Sequence, residues 1–190
     1  MKKSDTLAVI ILAAGTSSRL GEPKQLIMYQ NESLLKNTVN KALEITRDVF
    51  VVLGHENNKC EKELKDFNVT ILYNEKYKKG IGSSLSFGIN YTKAYENTMI
   101  MLCDQPLIPI SHYKTLTTYI KSGKICASFY NHSLSVPAIF PQKYYEKLLL
   151  LNPKAGAKSI LKSEKCIKVP LLKNYSIDID TLDDIAKYLH

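Results

Sequence analysis

The run Leu7-Ala8-Val9-Ile10-Ile11-Leu12 leads directly into Ala13-Ala14-Gly15-Thr16-Ser17-Ser18-Arg19-Leu20-Gly21-Glu22-Pro23-Lys24. A short, continuous apolar run that stops at small and turn-forming residues is a buried strand ending in a loop. Small side chains let backbone N–H groups approach a polyanion, and a guanidinium and an ammonium neutralise it. The segment therefore reads as a phosphate cradle with Arg19 and Lys24 as its cations. It is not a Walker loop, which has four residues between its glycines and then Lys-Ser/Thr. Here Gly15 and Gly21 enclose five residues, and Glu22-Pro23 precedes Lys24. The Gly-x-Gly-x-x-Gly of dinucleotide-binding folds is also absent from the segment.

Further strand-like runs fall at Val49–Leu53, Val69–Tyr73 and Met99–Cys103, separated by helix-length segments. This alternation implies parallel strands joined by crossover helices, a βαβαβαβ first half. After Ser33, an N-cap candidate, residues Leu35, Val39, Ala42, Leu43 and Thr46 recur at helical spacing. Helices are also expected at Glu56–Phe67 and Ser83–Tyr95. Beyond Pro109 the pattern changes. Helices are predicted at His112–Ser122, Gln142–Leu151, Ala157–Lys162 and Leu182–Leu189, and strands at Ile125–Tyr130, Val136–Phe140 and Cys166–Val169. The expected fold class is α/β, a three-layer domain with a mostly parallel sheet and mixed strands added in the C-terminal half. With 190 residues and no linker, residues 1–190 are expected to form one domain.

The formal net charge of +8 is shared by nucleic-acid binders, membrane-surface proteins and enzymes of anionic small molecules. Most lysines are scattered over expected helix faces, and the chain has only two arginines, Arg19 and Arg47. No basic run is interleaved with aromatics, so a nucleic-acid partner is not expected. Cys60, Cys103, Cys126 and Cys166 show no zinc spacing, and the histidines form no cluster. No apolar run approaches a membrane span, and Met1–Asp5 lead into too short an apolar stretch for a signal peptide. A cytoplasmic protein with no membrane partner is expected.

Ligands of open parallel sheets bind beyond the carboxyl ends of the strands. The loops after the first and fourth strands, Gly15–Lys24 and Cys103-Asp104-Gln105-Pro106, should therefore face one site. A carboxylate opposite a cationic phosphate loop suits a Mg²⁺ ion bridging α- and β-phosphates. Taken alone, Asp104 could equally be a turn former before Pro106. In Asp178-Ile179-Asp180 strand alternation would put both carboxylates on one face. Asp180 is read as the N-cap of the final helix, leaving Asp178 as the candidate second metal ligand. The glycines and hydroxyls of Gly80-Ile81-Gly82-Ser83-Ser84, at an expected helix start, suit a base edge or a ribose. No Ser/His/Asp or Cys/His arrangement is present.

The string Leu12-Ala13-Ala14-Gly15-x-Ser17-x-Arg19-x-Gly21-x-Pro23-Lys24 resembles the opening motif of the nucleotidyltransferases that attach a nucleoside monophosphate to the molybdenum cofactor, especially the cytidylyltransferase branch. The resemblance continues through Gly80-x-x-x-Ser84-Leu85-x-x-Gly88, Asp104-Gln105-Pro106, Pro137-Ala138-Ile139-Phe140, Gly156-Ala157-Lys158 and Asp178-Ile179-Asp180-Thr181-x-x-Asp184. It implies a Rossmann-like nucleotidyltransferase fold and transfer of CMP from CTP, or GMP from GTP, to a molybdopterin-type cofactor, with Mg²⁺ on Asp104. It also implies nucleotide contacts at Leu12, Ala13, Ala14, Gly15, Thr16, Ser17, Lys24, Gly80, Gly82, Ser83, Ser84 and Asp104, and a molybdoenzyme as a receiving partner. Ala13-Ala14-Gly15 favours CTP, because the guanylyl branch more often carries a second glycine there. Two departures stand out: Pro153-Lys154 replaces a usual Gly-Asp, and Ser135 replaces a usual glycine. Transfer to a sugar or alditol phosphate is the rival activity, and a non-catalytic, nucleotide-binding delivery protein is the non-enzyme rival.

Overall fold

The computed structural model describes residues 6–17 and 20–189, so the readings placed on Arg19 and on Met1–Asp5 lie outside it. Strand β1 (Leu7–Ala13) is buried along its whole length. It is followed by a short hairpin, β2 (Met28–Tyr29) and β3 (Glu32–Ser33), which sequence reading missed. Two-residue strands carry too little periodicity to register. Helix α1 (Leu34–Leu43) starts where expected, with the Ser33 hydroxyl accepting from the Lys36 N–H. The alternation continues through β4 (Val49–Leu53), α2 (Asn57–Leu64), β5 (Thr70–Tyr73), α3 (Ile81–Thr92) and β6 (Asn97–Leu102). The second half consists of α4 (Ile110–Thr117), β7 (Cys126–Tyr130), β8 (Ser133–Pro141), α5 (Tyr145–Leu149), α6 (Lys158–Ser163), β9 (Ile167–Pro170) and α7 (Leu182–Tyr188).

The main sheet has seven strands in the order β5-β4-β1-β6-β8-β7-β9. Neighbours from β5 to β6 are parallel, β8 runs antiparallel to both β6 and β7, and β9 is parallel to β7. The expected three-layer α/β architecture with mixed C-terminal strands is present. Alternation along β1 explains the layers. Val9, Ile11 and Ala13 join a core with residues of α1, α2 and α4, while Ile10, Leu12 and Ala14 join another with α3, α5 and α6. Burial on both faces is the reason the run is continuously apolar. Each fully buried aliphatic side chain contributes roughly 1.5–3 kcal/mol, so β1 anchors both layers. A third, smaller cluster packs Leu20, Ile27 and Leu34 on Ile179, with Ile185 and Tyr188 of α7 against it. The C-terminal segment thus folds back over the end of the loop after β1.

Several boundaries differ from expectation. Helix α3 begins at Ile81, so Gly82 and Ser83 lie inside its first turn. Residues 177–180 are not a strand; the Ile179 N–H donates to the Asp104 carbonyl at 2.8 Å without extending into a ladder. The alternation argument for Asp178 and Asp180 therefore does not apply. The last helix is capped by Thr181, which forms a capping box with Asp184, and the Asp180 side chain is free for another role.

Candidate active site

Chain order leaves β1 for β4 and β5 on one side and returns to β6 on the other, so the sheet divides at the β1–β6 seam. Crevices of this kind open beyond the strand ends at such a switch point. A cavity of about 400 Å³ lies there. On the β1 side it is lined by Leu12, Ala13, Ala14, Gly15, Thr16, Lys24 and Gln25, and on the β6 side by Leu102, Cys103 and Asp104. Tyr77, Lys78, Gly80, Ile81 and Ser84 close the remaining wall.

Lys24 is the electrostatic centre of this cavity. Its Nζ donates to Asp104 Oδ2 at 2.8 Å and to Asp180 Oδ1 at 2.7 Å. Burial alone would lower the basicity of the ammonium, but the Asp104 and Asp180 carboxylates outweigh burial and hold it above its ordinary value. Lys24 is therefore a fixed cation at neutral pH. Three separate parts of the chain meet here: the end of the loop after β1, the loop after β6, and the segment before α7. Asp104 Oδ1 is buried without a partner. Two convergent carboxylates with an unfilled acceptor suit a hard divalent cation that completes its shell with phosphate oxygens and water. Among the described residues no three His, Cys, Asp or Glu side chains converge into a ligand set. Burial pushes the Cys103 thiol up, away from the reactive thiolate form.

Asp178 pairs with a different residue. Its Oδ1 accepts from Gln105 Nε2 at 2.8 Å, and it lies within electrostatic reach of Asp104, Asp180 and Lys158. The carboxylate that joins Asp104 on Lys24 is Asp180, two positions further along the chain. Ser17 sits outside the cavity lining. Its backbone is in the left-handed region at φ 51°, and its hydroxyl accepts from the Lys24 N–H at 2.9 Å, closing the loop on itself.

The Gly80–Ser84 segment divides between two surroundings. Gly80 and Ser84 line the cavity, and Asn74 Nδ2 donates to the Ser84 hydroxyl at 3.0 Å. Gly82 and Ser83 face away, against residues 152–155. A Cβ on Gly82 would sit 2.4 Å from the carbonyl oxygens of Asn152 and Ala155, and one on Gly80 would sit 2.5 Å from that of Pro153. Ser83 N–H also donates to the Pro153 carbonyl at 3.3 Å. Backbone carbonyls of residues 152–155 thus approach the start of α3 closely, a polarity that fits its positive end. Lys154 is exposed, with its backbone beside Gly80.

The MobA-like NTP transferase domain matches residues 9–168, which take in the loop after β1, α3 and the Asp104 loop. The chain belongs to this family. A nucleotidyltransferase is accordingly the class of protein in which this cavity sits. Over 117 residues the chain is 26% identical to the molybdenum cofactor cytidylyltransferase of Escherichia coli K12, a match covering 61% of this chain and 60% of that protein. It is 31% identical over 117 residues to a probable molybdenum cofactor guanylyltransferase of Bacillus cytotoxicus, covering 60% of this chain and 57% of the relative. Both matches span less than two thirds of the relatives' length. The crystal structure of Rv0371c from Mycobacterium tuberculosis H37Rv superposes with a TM-score of 0.86 at 21% identity, covering 98% of each chain. A complex of Rv0371c with manganese superposes at 0.80.

Sequence reading missed Gln25, Tyr77 and Lys78 in the cavity wall and the Lys24–Asp180 ion pair. Asp180 carried a signal in its place beside Asp178, but the cap reading absorbed it. Tyr77 left an indirect trace at Gly54, where a Cβ would meet its ring at 2.6 Å. Among the described residues no helix is long and apolar enough to cross a membrane.

Proposed function

We propose that the protein transfers CMP from CTP to the terminal phosphate of a molybdopterin-type cofactor, releasing pyrophosphate, and that residues 1–190 act as one catalytic domain. The observation that carries the reading is the Lys24 ammonium held between Asp104 and Asp180 at the mouth of the β1–β6 crevice. A phosphate oxygen of the acceptor forms a bond to the α-phosphorus while the bond from that phosphorus to the β-phosphate bridging oxygen breaks. The acceptor is already an anionic nucleophile, so no general base is needed, and the cavity offers none of the usual constellations. Catalysis then rests on charge: Lys24 meets the charge developing on the α-phosphoryl oxygens and the leaving pyrophosphate. When bound, Mg²⁺ supplies Lewis-acid neutralisation of the triphosphate, and Asp104 with Asp180 are the residues to hold it.

Ala13, Ala14, Gly15 and Thr16 are assigned to the nucleotide together with Leu12, Gly80 and Ser84, all of them in the cavity wall. Arg19 is assigned to the phosphates by its position in the sequence alone. Ala14 lines the cavity, and an alanine where the guanylyl branch more often has glycine leaves less room, which favours the smaller base. Asp178 is engaged by Gln105, so the metal is assigned to Asp104 and Asp180 in place of Asp178. Pyrophosphate release measured with CTP, GTP and UTP against molybdopterin and sugar-phosphate acceptors tests the reading. CTP-selective release with the pterin acceptor is expected. GTP selectivity moves the protein to the sister activity, sugar-phosphate selectivity moves it to the rival, and no release with any pair refutes catalysis.

A further inference from the structure

Gln25 is only 1% exposed and follows Lys24 in a 3₁₀ turn, Lys24–Leu26. Its Nε2 donates to the Ala13 carbonyl at 2.8 Å and to the Gly15 carbonyl at 2.9 Å. The Ala14 carbonyl between them accepts from the His55 N–H at 3.3 Å. Three successive carbonyls at the end of β1 are therefore all taken. A peptide unit is planar, so fixing a carbonyl also fixes the direction of the N–H that follows it. The amide and His55 thus set the orientation of the Ala14, Gly15 and Thr16 N–H groups. At Gly15 side-chain packing adds nothing to this, because nothing lies within 4 Å of where its Cβ would be.

The amide's own orientation is determined, since a flip would turn Oε1 against two carbonyl oxygens. Oε1 is buried without a partner, a state that an apolar side chain of similar size would avoid. The residue is thus suited to donation, at a cost on its acceptor atom. We propose that Gln25 is a positioning residue: its side-chain amide, through two bonds to the backbone, presets the peptide planes of Ala13–Thr16 for a nucleoside triphosphate. The inference rests on the nucleotidyltransferase reading, and it goes beyond the phosphate-loop residues themselves.

The discriminating change is Gln25→Glu, which keeps size and shape but, when ionised, turns both donors into acceptors facing carbonyls. Protonation restores one O–H donor. Burial and the two carbonyls favour the protonated form, and the Lys24 ammonium opposes it. Asp104, Asp180, His55 and Cys103 also face this region, and all are retained in the parent, which serves as reference at each pH. CTP binding with Mg²⁺ is measured by calorimetry at about pH 8 and about pH 6. Amide hydrogen exchange of Ala14–Thr16 is measured without nucleotide, alongside Gln25→Met as an uncharged variant that removes the donors.

Relative to the parent, Gln25→Glu is expected to bind CTP about tenfold or more weakly at pH 8 and to recover most of that loss at pH 6. Gln25→Met is expected to bind weakly at both, and both variants to exchange these amides at least about tenfold faster at pH 8. Parent-like exchange in Gln25→Met overturns the proposal. So does binding by Gln25→Glu that matches the parent, or that is weakened equally at both pH values. A parent that binds neither CTP nor GTP refutes the functional reading instead, while the exchange measurement still decides the role of Gln25.

Discussion

Replacing Lys24 by Met removes one ammonium and leaves two carboxylates facing each other. The Lys24 side chain is 15% exposed, that of Asp104 19% and that of Asp180 47%. At an effective dielectric constant near 20, each contact of this length has a gross attraction of roughly 6 kcal/mol, most of it offset by desolvation. An exposed pair nets about 1 kcal/mol or less, and breaking a fully buried one costs about 3–5 kcal/mol. Asp180 is close to the exposed limit and Asp104 is not, so the expected loss is about 2 kcal/mol. For a domain of this size that lowers the Tm by roughly 4–8 °C. The vacated carboxylates become a better cation site, so millimolar Mg²⁺ or Ca²⁺ should raise the Tm of Lys24→Met more than that of the parent. Nucleotidyl transfer should fall on the order of a hundredfold, the scale for losing a transition-state charge partner. Calorimetric melting with and without cation, combined with single-turnover rates, reads all three effects. An unchanged Tm with no extra cation response would refute the ion-pair argument, and an unchanged rate would remove Lys24 from the chemistry.

Asp104→Asn keeps shape but loses the charge that holds a hard cation, so metal-dependent turnover should drop far more than metal-free nucleotide binding; an unaltered Mg²⁺ activation curve would make Asp104 a structural turn residue. Gly80→Ala should destabilise the protein by about 2–4 kcal/mol in chemical denaturation, because its Cβ would meet the Pro153 carbonyl at 2.5 Å while its backbone stays at φ +122°. Buried His112, hydrogen bonded through Nε2 to the Ser128 hydroxyl, has its pKa lowered by burial. The unfolded chain therefore binds the proton more readily, and stability should fall as pH drops from about 6.5 toward the folded value. Denaturation midpoints of His112→Gln should lose that part of the acid sensitivity.

Much of the fold was legible because local chemistry and tertiary role agree. Residues Leu7–Leu12 are apolar at every position because β1 has helices on both faces. The Ser33 cap works within four residues of chain, and the parallel first half follows from strands and helices alternating at crossover length. The second half was readable as elements but not as a sheet order. Antiparallel insertion of β8 beside β6 depends on contacts between distant residues that leave no period in either segment.

The candidate site divides along the same line. From sequence alone, a phosphate loop after β1 and a carboxylate after β6 could be placed at one end of a parallel sheet, because strand direction dictates where those loops emerge. The choice between Asp178 and Asp180 could not be made that way. It depends on α7 packing over Leu20 and Ile27, which brings residue 180 rather than 178 onto Lys24, across 156 positions of chain. Gln25 was silent for a similar reason, since its amide acts on backbone carbonyls, and a carbonyl carries no mark in the residue alphabet. The sequence determined which groups of each charge and size were available and the local elements that carry them. Only the tertiary structure decided which of them meet, because that is set by long-range packing of apolar surfaces rather than by the polar residues themselves.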